Sequence, residues 1–193
     1  MRATRLVLVI AAPAAAADLT AKQLQAVMPH LPDDRAATFL KPLNDAMREF
    51  DVTTPKRQAA FLAQIAHESG ELKYMEEIAS GEAYEGRKTL GNTEPGDGKR
   101  YKGRGPIQLT GRNNYRKAGA ALQLDLEGKP ELAARPDIGC RVAGWFWKTH
   151  GLNELADKGD FLQITKRVNG GTNGLARREE FYKRAKEVFG VSD

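Results

Sequence analysis

The sequence predicts a mainly α-helical fold with one compact domain, and three observations support that prediction. Most segments after residue 20 carry apolar residues at helical spacing. Runs that alternate apolar and polar residues, as strands do, are scarce. The chain has 193 residues, of which 41% are hydrophobic and 28% charged, so it can bury one sizeable core and resembles neither a disordered nor a membrane-embedded chain.

The first three helices are predicted from spacing and from the residues at their ends. Residues 20–31 place their apolar side chains at helical spacing. Asp33 or Asp34 is expected to cap the next helix, which is also amphipathic. A third helix should begin at Pro55 and end at Gly70, because proline suits the first helical turn and glycine suits the residue after the last.

A long loop separates these helices from the next ones. Residues 80–106 contain seven glycines and two prolines but almost no large apolar residues. Loops of this length within a compact domain are usually functional or disordered. At most a small β-hairpin fits around Tyr101–Leu109. Helices are predicted again over 111–122, 136–150, 160–168 and 174–188.

The charge of the chain is positive and unevenly distributed. A net charge of +5 and a pI of about 9.3 favour an anionic partner such as nucleic acid, an anionic membrane surface or an acidic wall polymer. Residues 68–97 hold eight acids and three bases, net −5, whereas residues 98–124 hold seven bases and no acid. These segments are either two solvated surfaces or a site where bases hold a carboxylate cluster. A basic C-terminal helix either assists wall binding or is a solvated face; its bases are Arg177, Arg178, Lys183, Arg184 and Lys186.

Cysteine and histidine are too few to support disulfides or a zinc site. Cys140 is the only cysteine, so no intrachain disulfide can form. Three histidines and one cysteine argue against a structural zinc ion. The stretch that begins at His67, HESGE, also differs from the HExxH zinc-protease pattern, because Glu71 replaces the second histidine.

Residues 1–17 have the pattern of a signal peptide. Arg2 and Arg5 precede an apolar stretch that runs from Leu6 to a row of alanines ending at Ala17. The stretch is too short to span a bilayer. We expect residues 1–17 to be a signal peptide or an appended hydrophobic leader, and residues 18–193 to be the functional domain.

Glu68 is the first candidate for chemistry. In an uninterrupted helix, Glu71 would share its face at a distance of about 5–6 Å, which suits a retaining glycosidase pair. Glu77 follows nine residues after Glu68 and would point to the opposite side of a straight helix. Glu68 and Glu77 can therefore act together only if the chain bends between them, and Gly70 is a residue that allows a bend.

Four motifs, taken in order, resemble the chitinases and lysozyme-like enzymes of glycoside hydrolase family 19. They are FLAQIAHESGELKYMEE, YKGRGPIQLTGRNNY, AGWFWKTHGLN and KRVNGGTNG, and the second is the most specific. The resemblance covers most of the chain from about Leu19 to Val188 and is greatest to the short forms found in bacterial chitinases and phage endolysins. It implies a single lysozyme-like α-helical domain with a cleft.

The resemblance also implies the roles of individual residues. Glu68 corresponds to the general acid and Glu77 to the general base of an inverting mechanism, and Glu85 is a less favoured candidate for the base. We expect apolar surroundings to keep Glu68 protonated, and Arg104 or Arg112 to keep Glu77 ionised. No metal or organic cofactor is required. The implied substrate-binding residues are Gln108, Thr110, Asn114 and Asn169, and Tyr74 or Tyr101 is expected to stack on a sugar ring.

The function expected from the sequence is endo-acting hydrolysis of β-1,4 bonds in an N-acetylhexosamine polymer. Peptidoglycan is the first substrate expected and chitin the second, because the domain is small and basic. A non-catalytic wall-binding module and a nucleic-acid binder are the competing classes, and the second has no recognisable motif here. We expect a monomer with only transient membrane contact. It would be exported to the wall or periplasm, or held in the cytoplasm until host lysis.

Overall fold

The structure is a computed structural model that describes residues 17–192. The expected leader falls almost entirely outside the described residues. No helix within the described range is both long and apolar enough to cross a bilayer. The α-helices of the described residues are α1 (Ala21–Val27), α2 (Asp33–Glu49), α3 (Pro55–Glu68), α4 (Asp97–Arg100), α5 (Arg112–Leu122), α6 (Pro136–Thr149), α7 (Leu152–Asp157), α8 (Phe161–Asn169) and α9 (Leu175–Phe189). Short 3-10 segments occur at Glu82–Tyr84, Lys88–Leu90 and Pro130–Ala134.

Helix α3 runs through the centre of the core. Residues 58–66 are all buried, because α1, α7, α8 and α9 pack around this helix. Helix α2 packs along α6 at the side of this arrangement. The predicted mainly α-helical, single-domain fold is therefore confirmed. Because residues 58–66 are buried on every side, α3 reaches solvent only at its first turn and at its last turn, which ends at Glu68.

Polar side chains cap the starts of α3 and α8. Thr54 caps α3 by accepting the backbone N–H three residues on, with Pro55 in the first turn. Asp160 caps α8 in the same way. The capping prediction for α2 is wrong: its N-cap is Pro32, and Asp33 already belongs to the first turn. A carboxylate there still stabilises the helix, because the N-terminus carries partial positive charge.

The chain bends sharply after α3, as the glycine predicted. Gly70, Glu71 and Leu72 are successive left-handed residues with φ values of +57°, +61° and +63°. For the two that are not glycine, this conformation costs roughly 1–2 kcal/mol each. The Ser69 hydroxyl supports the bend by accepting the Leu72 N–H at 2.7 Å and donating to the Ile65 carbonyl at 2.7 Å.

The loop after the bend contains very little β structure. Within residues 17–192 the β pairing consists of two isolated antiparallel bridges, Glu76 with Arg104 and Arg104 with Leu109. The small hairpin expected around Tyr101–Leu109 is therefore present only as the bridge between Arg104 and Leu109. Arg104 takes part in both bridges, so the segment that carries Glu77 is tied to the motif that carries Gln108 and Thr110.

The three consecutive aromatic residues of α6 divide between core and surface. Trp147 is fully buried and packs edge-on against Phe61 of α3, with ring centroids 5.2 Å apart. Trp145 and Phe146 are half-buried and pack against the edge of the core. Consecutive helical residues point in different directions, so one side chain faces the core and its neighbours reach the surface.

Candidate active site

The carboxylate of Glu68 is paired with a buried guanidinium. Arg178 of α9 donates to Glu68 Oε1. The Arg178 side chain is 1% exposed and that of Glu68 is 17% exposed, so the pair lies at the boundary between core and solvent. The expected buried helix does lie beneath Glu68, but α9, which packs on α3, also places a cation against the carboxylate, so the surroundings are not apolar throughout.

Arg178 is held by partners on its other sides. It donates to Gln64 Oε1 and, through Nε, to the Asn173 carbonyl at 3.2 Å. Gln64 in turn donates to Thr165 Oγ1 at 2.9 Å. A buried guanidinium is stable only when its donors find acceptors, and these contacts supply them.

His67 is neutral at neutral pH. Burial, together with the nearby positive charges of Arg178 and Arg177, lowers its pKa to about 4. The ring also packs tightly on Gly174, since a Cβ at that glycine would lie 2.3 Å from the His67 ring. His67 therefore has a structural position between α3 and the start of α9.

Glu71 turns away from the expected same-face pairing with Glu68. It is 7% exposed and accepts the backbone N–H of His30 at 2.8 Å and contacts the His30 Nδ1 at 2.9 Å. Arg177 lies 3.5 Å from the same carboxylate. Glu71 has a left-handed backbone, and its side chain contacts the turn that follows α1 and helix α9, so Glu71 supports the bend rather than forming a pair with Glu68.

Glu77 is held by two neutral donors. Tyr84 donates its hydroxyl to Glu77 Oε1 at 3.0 Å, and the Gly103 N–H donates to Oε2 at 3.0 Å. The Glu77 N–H also donates to the Gly103 carbonyl at 2.8 Å. Burial and the hydrogen bond to Glu77 raise the pKa of Tyr84. The Glu77 carboxylate is therefore fixed in orientation before any substrate arrives.

The basic residues expected beside Glu77 pair with other carboxylates. Lys102 and Arg104 lie 2.8 Å and 3.4 Å from Glu76, and the Lys102 hydrogen bond is the main reason why the pKa of Glu76 is lowered. Arg112 pairs with Asp97, which lowers the pKa of that carboxyl. The expectation that Arg104 or Arg112 keeps Glu77 ionised is therefore wrong as far as a direct ion pair is concerned, because each of them pairs with another carboxylate.

Gln108 and Thr110 converge on Glu77 at Gly103. A Cβ added to Gly103 would lie 2.7 Å from Gln108 Oε1, 3.3 Å from Glu77 Oε2 and 3.4 Å from Thr110 Oγ1. Gln108 has a left-handed backbone, φ +54°, and donates its side-chain N–H to the Gly105 carbonyl at 2.9 Å. Thr110 donates to the Gln108 carbonyl at 2.9 Å. The absence of a side chain at Gly103 thus lets three polar groups meet.

Asn114 joins Gln108 and Thr110 at the wall of a cavity of about 230 Å³. Asn114 donates to the Thr110 carbonyl at 2.8 Å, which ties helix α5 to this wall. Aromatic and apolar residues form the rest of the lining, including Trp145, Phe146, His150 and Leu90. A groove of this composition offers amide and hydroxyl groups beside aromatic faces, which suits a sugar.

Asn169 has an unused acceptor. It is the last residue of α8, and its Oδ1 is buried with no hydrogen-bond partner among residues 17–192. A buried amide oxygen without a donor is unusual, and Asn169 directly follows Val168, which lines the groove.

Tyr101 does not line the sugar groove, so the expected stacking role is corrected. Its ring is 1% exposed, packs on Tyr115 with centroids 5.4 Å apart, and has the Arg112 guanidinium 4.9 Å from its centroid. Its hydroxyl donates to the Glu127 carbonyl at 3.1 Å. Tyr74, the other residue considered for stacking, is 39% exposed.

Glu85 is engaged away from Glu77. Its two oxygens accept the backbone N–H groups of Gly96 and Gly98, each at 2.7 Å. These contacts organise the loop around α4 and favour Glu77 over Glu85 as the second carboxylate. A larger cavity of about 720 Å³ lies beside Gly96, against Arg112 and Glu127. Neither Glu68 nor Glu77 lines this cavity.

Potential metal ligands are dispersed in the part of the chain that the structure describes. Within residues 17–192, no three side chains of histidine, cysteine, aspartate or glutamate lie close enough to hold one. The partners of Glu68 and Glu77 are hydrogen-bond donors, which compete with a metal for the same oxygens.

Comparison with known proteins places this arrangement in a family. A family model described as chitinase class I, of glycoside hydrolase family 19, matches residues 46–158. The chain belongs to glycoside hydrolase family 19. The matched range contains Glu68, Glu77, Gln108, Thr110 and Asn114.

The chain aligns with different shares of two family 19 relatives. A family 19 domain-containing protein of Haemophilus influenzae is 32% identical over 158 residues, which cover 66% of this chain and 77% of the relative. An endochitinase of Arabidopsis thaliana is 43% identical over 131 residues, 65% of this chain but 44% of the relative. The chain thus spans less than half the length of that plant protein.

Solved structures share the family 19 fold. Chitinase C from Streptomyces griseus superimposes with a TM-score of 0.75 at 23% identity, over 90% of this chain and 77% of the other. A class IV chitinase from Zea mays superimposes with a TM-score of 0.66 at 23% identity, over 91% and 93%. The lysozyme-like, mainly α-helical fold expected from the motifs is confirmed.

The sequence patterns do not predict three residues of the site, namely Arg178, Tyr84 and Gly103. Arg178 was grouped with the bases of a surface helix, but it is buried and bound to Glu68. Tyr84 and Gly103 bind Glu77 from different parts of the loop. One signal for Arg178 was available in the sequence. Arg178 lies three residues before Phe181, and residues three apart share a helix face, so burial of Phe181 implies burial of Arg178.

Proposed function

We propose that this protein is an endo-acting chitinase that hydrolyses β-1,4 bonds between N-acetylglucosamine units. The observation that carries the proposal is the fixed carboxylate of Glu77, which meets Gln108 and Thr110 at Gly103. Family membership and the endochitinase names of several relatives support chitin over other polymers.

In the proposed mechanism Glu68 is the general acid and Glu77 the general base. Inverting glycosidases need two carboxyl groups roughly 6.5–9.5 Å apart, with a water molecule between the second carboxylate and the sugar. Glu77 would take a proton from that water, while Gln108 and Thr110 offer an amide and a hydroxyl to orient it. Glu68 would give its proton to the leaving oxygen, and Arg178 fixes the place from which it does so.

The substrate groups would bind in the groove beside these residues. Asn114 lines the groove, and the buried oxygen of Asn169 lacks a donor among the described residues, which a sugar hydroxyl or an acetamido N–H would supply. Trp145 and Phe146 add aromatic surface at the same wall. The reaction uses protein side chains and water alone.

Peptidoglycan is the second candidate substrate, and the charge of the chain is the observation that favours it. The net charge of +5 would attract an anionic wall polymer, whereas chitin is uncharged. The two substrates are separated by salt: binding to peptidoglycan should weaken as ionic strength rises, and binding to chitin should change little.

The test is the release of reducing ends from chitin oligomers and from purified peptidoglycan. We expect wild-type protein to cut chitin, and Glu68→Gln and Glu77→Gln to lose at least about 100-fold in kcat. The product released from a β bond should carry the α anomer, which proton NMR detects directly.

Glu71→Gln is the matched control for both substitutions. It makes the same chemical change three residues from Glu68, but Glu71 contacts His30 and Arg177 and neither Glu68 nor Glu77. We expect it to retain kcat within about threefold while it lowers the melting temperature. Unchanged turnover in both Glu68→Gln and Glu77→Gln would sink the catalytic assignment, and cleavage of peptidoglycan alone would reverse the order of substrates.

We also propose that residues 1–17 direct export, with residues 18–193 as the active domain. The two arginines, the short apolar stretch and the alanines before Asp18 support this. Mass spectrometry of protein recovered from the culture medium or periplasm tests it. A mature N-terminus near Asp18 is expected, and an uncleaved protein retained in the cytoplasm would contradict it.

A further inference from the structure

A line of buried polar side chains extends from Glu68 into the core. Arg178 donates to both Glu68 Oε1 and Gln64 Oε1, and Gln64 Nε2 donates to Thr165 Oγ1 at 2.9 Å. Gln64 and Thr165 are 0% exposed and Arg178 is 1% exposed. Polar groups this deeply buried need partners, and here each is the partner of the next.

The chemistry of these groups leaves each of them one orientation. Arginine has donors and no acceptor, so only the oxygen of the Gln64 amide can face it. The amide nitrogen must then face Thr165, whose hydroxyl oxygen accepts. A flipped amide would set N–H groups of Gln64 against N–H groups of Arg178. The guanidinium therefore cannot rotate without breaking contacts on both sides.

The line connects two helices that carry candidate site residues. Gln64 lies four residues before Glu68 on α3, and Thr165 lies four residues before Asn169 on α8. Residues four apart share a helix face, so the hydrogen bond between Gln64 and Thr165 joins the faces that end at Glu68 and Asn169.

We propose that Gln64 and Thr165 are positioning residues that hold the Arg178 guanidinium against Glu68. The inference rests on the proposed function, because it takes Glu68 as the general acid. Neither residue is placed against the sugar: Gln64 accepts from Nη1 of Arg178 while Glu68 accepts from Nη2, and Thr165 fixes Gln64. If Arg178 moved, Glu68 would lose its cationic partner and its place relative to the leaving oxygen.

The first test measures kcat and KM on a soluble chitin oligomer. We expect Gln64→Leu and Thr165→Val to lower kcat about 10- to 100-fold, because small displacements of a reacting group have effects of this size. KM should stay within about twofold, since the sugar contacts remain. A change that only loosened the core would lower the melting temperature without separating kcat from KM in this way.

Two conservative variants keep the test informative if the larger changes unfold the protein. Thr165→Ser retains the accepting hydroxyl, so kcat should return to near its wild-type value. Gln64→Glu keeps an acceptor for Arg178 but adds a carboxylate that competes with Glu68 for the guanidinium, so the fold should survive while kcat still falls.

Asn153→Ala is the control for burial alone. Asn153 is 0% exposed, accepts from Trp147 Nε1 at 2.9 Å and donates to the Phe50 carbonyl at 3.0 Å. It thus resembles Gln64 in burial and bonding but touches no member of the line. We expect it to lower the melting temperature and to leave kcat and KM near their wild-type values.

The outcomes separate this inference from the proposed function. If Glu68→Gln is inactive but folded Gln64 and Thr165 variants keep wild-type kcat, the positioning role is wrong. If wild-type protein cuts neither polymer, the proposed function fails, and the crystal structure of Gln64→Leu decides the inference. Displacement of Arg178 from Glu68 in that structure would support it, and an undisturbed contact would overturn it.

Discussion

Glu77 and Gly103 are joined by two hydrogen bonds, one from the backbone N–H of each residue. The Glu77 N–H donates to the Gly103 carbonyl at 2.8 Å, and the Gly103 N–H donates to Glu77 Oε2 at 3.0 Å. The same partner therefore fixes both the backbone and the carboxylate of Glu77. Gly103 also leaves the space into which Gln108 and Thr110 reach.

Gly103→Ala should reduce activity by crowding this meeting point. The backbone of Gly103 is not left-handed, so alanine is allowed there, but its Cβ would lie 2.7 Å from Gln108 Oε1 and 3.3 Å from Glu77 Oε2. We expect kcat on chitin oligomers to fall about 10- to 100-fold.

Gly98→Ala serves as the control for crowding within the same loop. Its Cβ would lie 2.6 Å from the Gly81 carbonyl, a comparable clash that involves no atom of Glu77. We expect this variant to lose melting temperature with a smaller loss of kcat. Equal losses of kcat in the two variants would show that general loop disruption, rather than displacement of the carboxylate, explains the effect.

Tyr84→Phe should weaken catalysis by removing one of the two donors to Glu77. The Tyr84 hydroxyl donates at 3.0 Å, and a hydrogen bond to a charged group contributes about 1.5–3 kcal/mol. We expect kcat to fall about tenfold, the change that corresponds to roughly 1.4 kcal/mol of barrier. Tyr74→Phe, at a ring that is 39% exposed, is the control and should behave as wild type. A Tyr84→Phe enzyme with full activity would mean that Gly103 alone orients the carboxylate.

His67 should make the protein less stable as the pH falls from about 6.5 to 4. Its pKa is about 4 in the folded state, because of burial and of the charges of Arg178 and Arg177, against 6.5 when unfolded. In that window the unfolded state binds a proton that the folded state does not, so the free energy of unfolding decreases with falling pH. Urea unfolding of wild type and His67→Asn across this range measures the difference. An identical pH slope in the two proteins would contradict the prediction.

Glu127 should add a second, more acidic loss of stability. Its hydrogen bonds with Arg116, aided by Arg112, lower its pKa to about 2. A carboxyl with a lowered folded pKa stabilises the folded state above its unfolded pKa of 4.5, and that stability is lost as the pH falls toward 2. Glu127→Gln should be less stable than wild type at pH 6 and approach it below pH 3 in the same urea assay. A constant difference at all pH values would exclude this origin.

Local sequence signals predicted most helices and the bend because their causes are local. Thr54 with Pro55 marks the start of α3, and the hydrogen bond and ring constraint responsible lie within one turn. Gly70 marks the bend, since glycine adopts the left-handed backbone without strain. The pattern did not reveal that Glu71 and Leu72 share that backbone, because their cost is offset by contacts with distant residues such as His30.

The partners of the two carboxylates were less predictable because charge in sequence does not determine pairing in space. Arg104 lies in the segment that also carries Gly103, yet it pairs with Glu76 while the glycine binds Glu77. Tyr101 was expected on the surface of the site, but a phenol ring can be buried when its hydroxyl finds a carbonyl, as it does at Glu127.

The sequence alone determined the helical architecture, the family and the candidate carboxylates Glu68 and Glu77, since spacing, capping residues and short motifs depend on neighbours along the chain. Only the tertiary structure decided what holds those carboxylates. Arg178 reaches Glu68 across 110 residues and Gly103 reaches Glu77 across 26. Such contacts depend on how α9 and the long loop pack against α3, and that packing follows from burial of the whole core rather than from any local pattern.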